Sequence, residues 1–360
     1  MRILVLCKRQ YMSKDLLDDR YGRFREIPLA LSEMGHAVTG LCLSYADRNQ
    51  GRIWDGQVCW DSLNAGRSKL PGLMRFVAKA GKMAAHADII WACSDSFYGI
   101  IGLWAARWNR IPLVFDLYDN FEFYLAARLP VVKQLYRLAV RKADVVTCIS
   151  APLKDLVASY GRIEKVSVLE NAVRADLFQP LDKAACRRAL GLPEDAVIVG
   201  TAGALYRNRG IEALYSAAEN LQARHPNLHL AVAGPRNTPP PADEWVHDLG
   251  IMPLDAVPTL YNALDVAVIC NRDNAFGRFC HPQKAAEILA CNVPVVAARV
   301  GSLARLFETS PDWLYEPDNS VSLAAAISHR IGHAATNYDP VADWRDQAFK
   351  LEQWMAGVLT

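Results

Sequence analysis

Short β-branched runs alternate with segments of helical periodicity from the first residues onward, and this alternation constrains the fold more than any other feature of the chain. Strands are predicted at Arg2–Cys7, Ala37–Cys42, Asp88–Ala92, Pro112–Phe115 and Val145–Ile149, with a closing strand at Lys165–Leu169. Helices are predicted at Gly22–Met34 and Tyr98–Trp108, around Val131–Lys142, and near Pro152–Tyr160 behind the capping residue Ser150. Strands that alternate with helices in this way run parallel, because a parallel return needs a crossover long enough to hold a helix. The alternation breaks at Asn171–Asp182 and then restarts, with strands at Ala196–Ala202, Leu228–Ala233, Val266–Ile269 and Val293–Ala297 and helices at Gly210–Arg224, Val257–Ala263 and Pro282–Ala290. Two Rossmann-like α/β domains follow, with the linker at the break. The 360 residues are enough for two separate cores. The expected divisions are 1–170, 171–340 and 341–360, the last being a helix with Trp344, Phe349 and Trp354 that stands outside the second alternation and is expected to pack back on the first domain.

Composition removes several classes of function. The nine cysteines are scattered without a C-x-x-C pair, which argues against a zinc site or a disulfide framework and fits a reducing compartment. The amino-terminal apolar run is five residues long before Lys8 and Arg9, and no stretch reaches the length of a membrane span. A cytoplasmic protein is expected, with the inner face of a membrane open to it as a surface. Overall charge is nearly balanced at +2, but residues 1–170 hold 24 Lys and Arg against 17 Asp and Glu, while residues 171–360 hold 16 against 21. The basic excess in the first half suits either ordinary solvated faces or contact with an anionic acceptor or membrane. The segments Gly66–Lys82 and Arg128–Lys142 place that charge among Leu, Met, Phe and Val at helical spacing, as interfacial helices do. Helices that bury their apolar stripes on a sheet share the same pattern. Nucleic acid is not an expected partner, and Asn237–Asp243, with three consecutive prolines, reads as a stiff loop.

Two segments carry chemistry. In the first, Gly200–Gly210, a strand runs into a small basic loop and then a helix. Backbone N–H groups at Gly203 and the helix start, with Arg207 and Arg209, would cradle a diphosphate. A plain strand-to-helix turn is the alternative. The second runs from His281 to Ala297, where Lys284 and Glu287 share one face of a helix that begins near Pro282. Glu287 lies among Ala, Ile and Leu, and a carboxylate buried there needs partners, for which ribose hydroxyls are suited. A local Lys284–Glu287 ion pair is the alternative. Asp116 and Asp119 follow a predicted strand at its carboxyl end, where open α/β sheets bind ligands, although either could cap a helix. Gly22 stands at the start of the first helix after a long loop.

The segment ending in Asn292-Val293-Pro294-Val295-Val296-Ala297 resembles the carboxy-terminal signature of retaining GT-B glycosyltransferases of family 4, the E-x7-E group. Gly203–Gly210 resembles that group's G-R-L-x-x-x-K-G loop, Val168–Val173 its V-I-P-N-G-V turn, Ala143–Ser150 its A-D-x-V-x-x-x-S element, and Leu31–Val38 its L-x-x-x-G-H-x-V element. The resemblance implies a GT-B fold, two Rossmann-like domains facing across a deep interdomain cleft, with the acceptor on the first domain and the donor on the second. It implies transfer of a sugar, with retention and without a metal or other cofactor, from a nucleotide diphosphate sugar, UDP ahead of GDP. The acceptor would be a glycan or lipid-linked hydroxyl in polysaccharide or cell-envelope synthesis.

Carried over by position, Glu287 would bind the donor ribose and Arg209 would hold the diphosphate in place of the family lysine. Lys284 would add charge as in the P-x-K-x-x-E variant, His281 would join the donor site, and Gly22 would approach the donor phosphates. The chain departs from the pattern at three places. Ala204 stands for the family arginine, for which Arg207 is a neighbouring substitute; Phe279 stands for the first glutamate; and Tyr118 falls near the position of the family histidine. On the acceptor side this leaves Asp116 or Asp119 to contact the acceptor or act as a base. A sugar-nucleotide epimerase on the same architecture, and a nucleotide-sugar-binding scaffold that has lost activity, are the alternative functions.

Overall fold

The structure, a computed structural model, describes all residues except 12–13, 125–128, 334–337 and 360. The chain divides into two compact units, Met1–Asn171 with Trp344–Thr360, and Ala172–Asp343.

The first unit comprises β1 (Arg2–Lys8), β2 (Gln10–Tyr11), β3 (Lys14–Asp15), α1 (Arg23–Glu33), β4 (Ala37–Ser44), β5 (Gly51–Asp55), β6 (Val58–Asn64) and α2 (Leu70–Ala84). It continues through β7 (Ile89–Ala92), α3 (Ser96–Asn109), β8 (Leu113–Leu117), α4 (Pro130–Lys142), β9 (Val145–Cys148), α5 (Ala151–Ala158) and β10 (Val166–Val168). Its large sheet has the strand order β10-β9-β8-β7-β1-β4-β6-β5 and is parallel except for β5, which pairs antiparallel with β6 in a hairpin. The central strands β1, β7 and β8 are buried on both faces, as strands covered by helices on both sides must be.

The second unit comprises α6 (Lys183–Leu190), β11 (Val197–Ala202), α7 (Ile211–Gln222), β12 (Leu228–Ala233), β13 (Val246–Asp248), α8 (Val257–Ala263) and β14 (Val266–Ile269). It ends with α9 (Gln283–Ala290), β15 (Val295–Ala298), α10 (Gly301–Leu306), β16 (Leu314–Tyr315) and α11 (Ser320–Arg330). Its six strands lie in the order β13-β12-β11-β14-β15-β16, all parallel. Two apolar clusters, one on each face, hold it between helices: Leu260, Ile288 and Leu303 on one side, Leu214, Leu221 and Ile327 on the other.

The last helix, α12 (Trp344–Ala356), packs on α1 of the first unit and buries Trp344, Ala348, Leu351 and Met355. It starts at Trp344, whereas the periodicity predicts Val341, and of the aromatic residues it carries Trp344 is buried and Phe349 half exposed.

Both sheets have a switch point, where successive crossovers leave in opposite directions. In the first it lies between β1 and β7, and in the second between β11 and β14. The loops at the carboxyl ends of those strands open a crevice, the common ligand position in such sheets.

Candidate functional site

In the second unit, the loops after β11 and β14 bring the sequence-predicted residues together. β11 ends at Ala202, and Gly203 turns the chain with φ +107°, in the left-handed region that suits glycine. Its N–H donates to Ala233 O at 2.9 Å, and Gly234 after β12 approaches so closely that a Cβ there would lie 2.0 Å from Gly203 O. The two strand ends are pinched together by this contact. Arg207–Arg209 form one turn of 3₁₀ helix, and Gly210, with φ +77°, leads into α7.

Across the switch point, α9 begins behind Pro282 without a side-chain cap. Lys284 in its first turn reaches back over Gly203, whose missing Cβ would sit 3.4 Å from Nζ. Burial pushes the Lys284 ammonium below its usual pKa, and Arg209 works in the same direction by like-charge repulsion. The Arg209 guanidinium carbon lies 3.5 Å from the centre of the Phe276 ring, a cation–π contact that fixes the side chain. One turn along α9, Glu287 is buried; its Oε1 accepts from Gln283 Nε2 at 3.1 Å and its Oε2 from the Tyr261 hydroxyl at 3.5 Å. Burial raises its pKa to about 7, against the pull of Lys284, Gln283 and Tyr261. His281, also buried, immediately precedes Pro282.

Two cations and a buried carboxyl therefore converge on the glycine-lined end of β11. An anion placed there would meet Lys284 and Arg209, and a neutral hydroxyl donor would satisfy Glu287 in its ionised form. Arg207 stands apart: its side chain is 71% exposed and pairs with Glu212 at 2.9 Å. Among the neighbours, Phe276, Gln283 and Tyr261 escaped the sequence reading. Gln283 was open to detection, lying four residues before Glu287 on the same helix, whereas Phe276 and Tyr261 reach the site only through the fold.

In the first unit, the predicted acidic residues serve different ends. Asp116 on β8 is fully buried, and its Oδ1 accepts from Arg23 Nη2 at 2.9 Å and Thr147 Oγ1 at 2.6 Å. Arg23, equally buried, donates further to Leu169 O at 3.1 Å. This pair ties α1 to the sheet, and its burial removes Asp116 from contact with an acceptor in this structure. Asp119 is also largely buried; it accepts from the backbone N–H of Asn120 at 2.7 Å and from the Tyr124 hydroxyl. Neither aspartate caps a helix, since Asn120 caps the turn that follows. Gly22 has φ +92° and is the N-cap of α1, and a Cβ on it would meet the Tyr11 ring at 2.7 Å. Tyr118 sits edge-on to Tyr11 and Phe24, with ring centres 5.1 Å away in each case. An aromatic wall thus surrounds Gly22 and Asp119, assembled from residues distant in sequence.

Residues 24–177 match the family profile described as Glycosyltransferase Family 4, and residues 196–333 match the one described as Glycosyl transferases group 1. D-inositol 3-phosphate glycosyltransferase of Stackebrandtia nassauensis is 35% identical over 160 residues, 39% of this chain and 34% of the relative. The enzyme of the same description from Acidothermus cellulolyticus is 31% identical over 224 residues, 55% of this chain and 49% of the relative. The chain thus spans between about a third and a half of the length of these curated relatives. Among solved structures, sucrose-phosphate synthase from Thermosynechococcus elongatus superposes with a TM-score of 0.78 at 19% identity, covering 99% of each chain. HepE of Anabaena, solved in complex with UDP-glucose, superposes with a TM-score of 0.70 at 21% identity, covering 100% of this chain and 99% of that one.

Two Rossmann-like α/β domains in this order define the GT-B class of glycosyltransferase folds. Within that class, the first half of the chain is similar to glycosyltransferase family 4 and the second half to glycosyl transferases group 1.

Proposed function

We propose that this protein transfers a sugar from a nucleotide diphosphate sugar, a UDP-sugar ahead of a GDP-sugar, to an acceptor hydroxyl of a growing glycan or lipid-linked glycan. The observation that carries the reading is the convergence of Lys284, Arg209 and Glu287 on the loop at Gly203. The solved complexes of the similarly folded HepE with UDP and with UDP-glucose support the choice of uridine.

In this reading the bond between the anomeric carbon and the diphosphate breaks, and the nucleoside diphosphate leaves with the electron pair. The acceptor oxygen forms the new bond to the anomeric carbon and passes its proton to an oxygen of the departing diphosphate. Negative charge grows on the departing phosphate, where Lys284, Arg209 and the start of α9 would stabilise it more in the transition state than in the bound donor. Glu287 would hold the ribose and so fix the donor's register. Asp119 is the candidate contact to the acceptor, positioned by Tyr124, while Asp116 acts through Arg23 on the placement of α1. Retention at the anomeric carbon and independence from metal belong to the same proposal.

Phe279, in place of an acidic residue, favours one second reading, a protein that binds the nucleotide sugar without turning it over. Nucleoside diphosphate released from UDP-glucose only in the presence of a glycan acceptor is expected for the transferase. Saturable binding with no release across an acceptor panel would instead establish the binding protein.

A further inference from the structure

The outer layer of the first unit is built from α2, α3 and α4, which pack side by side with α3 in the middle. These three helices hold eight Lys and Arg residues and not one Asp or Glu. By contrast, α1 and α12, which pack on each other, carry Glu26, Glu33, Asp346 and Glu352. The outer layer is also apolar where a solvated layer is polar. Trp104 and Trp108, one turn apart on α3, stack with ring centres 6.3 Å apart, and Trp108 is 75% exposed. On α4, Val131, Leu135 and Leu138 repeat at helical spacing on the exposed side, and Leu70 and Met74 lie one turn apart on the exposed side of α2. Between α3 and α4 runs a groove of about 480 Å³, walled by Trp104, Trp108, Leu135 and Leu138 with Arg107 in its lining.

Such a patch exceeds what scattered surface hydrophobics need, and its composition states what covers it. Glu122 draws in Lys133 and Arg137, and Asp61 draws in Lys79, but Lys82, Arg141 and Lys142 stay exposed beside the apolar stripe. Two copies of this chain meeting through the patch would set like charges against each other, since the acids beside it, Glu122, Asp61 and Asp144, already pair with cations of the same copy. A surface that is apolar within and anionic at its rim matches both features at once: indole rings seat at the headgroup level, and Lys and Arg meet the headgroup charge. We infer that the outer face of α2, α3 and α4 is a docking surface for an anionic lipid bilayer, with Trp104 and Trp108 as its apolar anchors. This inference does not depend on sugar transfer.

The test is flotation of the full chain with vesicles of phosphatidylcholine alone and of phosphatidylcholine mixed with phosphatidylglycerol. Trp108→Ala and the double variant Arg141→Gln/Lys142→Gln are compared with Trp54→Ala, a comparably exposed tryptophan on the edge strand β5, outside the proposed face. Binding is expected only to the anionic vesicles, weakening with added salt, and reduced roughly tenfold or more by Trp108→Ala and by the double variant but not by Trp54→Ala. Because Trp108 is exposed, its loss leaves the core intact, and unchanged circular dichroism confirms that. No binding to anionic vesicles, equal binding to neutral ones, or binding indifferent to Trp108→Ala would overturn the inference. A dimer in sedimentation equilibrium that Trp108→Ala dissolves would also overturn it and assign the patch to a second copy. A nucleic acid probe that competes with the vesicles for the same residues would do the same in favour of that partner.

Discussion

Glu287 is held in a place that costs it ionisation. Its raised pKa of about 7, against an ordinary 4.5, means that the folded protein favours the neutral acid. The stability contribution from this group is therefore complete below about pH 4.5 and is lost as pH rises through about 7. Glu287→Gln is expected to stabilise the ligand-free protein by on the order of 2 kcal/mol at about pH 8 and to change little at about pH 4, as read by chemical denaturation. Ligand binding should run the other way. Ribose hydroxyls donate to the carboxylate, so affinity for UDP-glucose, whose phosphates do not titrate near neutrality, should rise between about pH 6 and 8 in the wild type. In Glu287→Gln it should be flat and about tenfold weaker, the worth of a hydrogen bond to a charged group. A flat wild-type profile by calorimetry would separate Glu287 from the ribose. At this scale the sequence is legible where a residue contradicts its own surroundings, as a glutamate does among Ala, Ile and Leu. It is silent on partners that only the fold brings near: Asp116 and Arg23 lie 93 residues apart, and nothing local marks them as a buried pair.

Elements buried against the parallel sheet are the easiest to place from the sequence, because their burial leaves a short, largely apolar run between polar residues. The segments Leu228–Ala233, Val257–Ala263 and Val266–Ile269 have the predicted bounds. The β5–β6 hairpin was not assigned, although Asp55-Gly56 is a turn signal. Its first strand, GRIWD, buries only Asp55, so it lacks the apolar alternation that identifies a strand. The donor-side loop is an element-scale device of another kind. Lys284 reaches over Gly203, whose φ of +107° suits glycine, and Gly234 holds that loop against the end of β12. Gly234→Ala would drive a Cβ into a carbonyl oxygen at a backbone φ of +133°, and a loss of roughly 2–4 kcal/mol of stability is expected in denaturant unfolding. An unchanged midpoint would mean that the pinch relaxes freely.

At the scale of the molecule, the chain returns to its first unit after building the second, and α12 supplies the return. The buried Trp344, Leu351 and Met355 each contribute on the order of 2 kcal/mol to that docking. Deleting residues 344–360 should therefore lower protection from hydrogen exchange in α1 and β4 while leaving β11 to β15 as protected as before. Equal loss in both units would contradict the division. The repeated βαβ order made the two-domain architecture legible from the sequence, and the helix that stands outside the second alternation pointed back to the first domain; that it docks on α1 through Trp344, Ala348, Leu351 and Met355 required the structure. In the proposed function, the second unit holds a nucleoside diphosphate through Lys284, Arg209 and Glu287. Titration of UDP-glucose into the wild type and into Arg209→Ala tests it most directly. Saturable binding at one site, weakened at least roughly tenfold by the substitution, is expected of a guanidinium on the diphosphate; no binding, or binding that ignores the loss of Arg209, would contradict it.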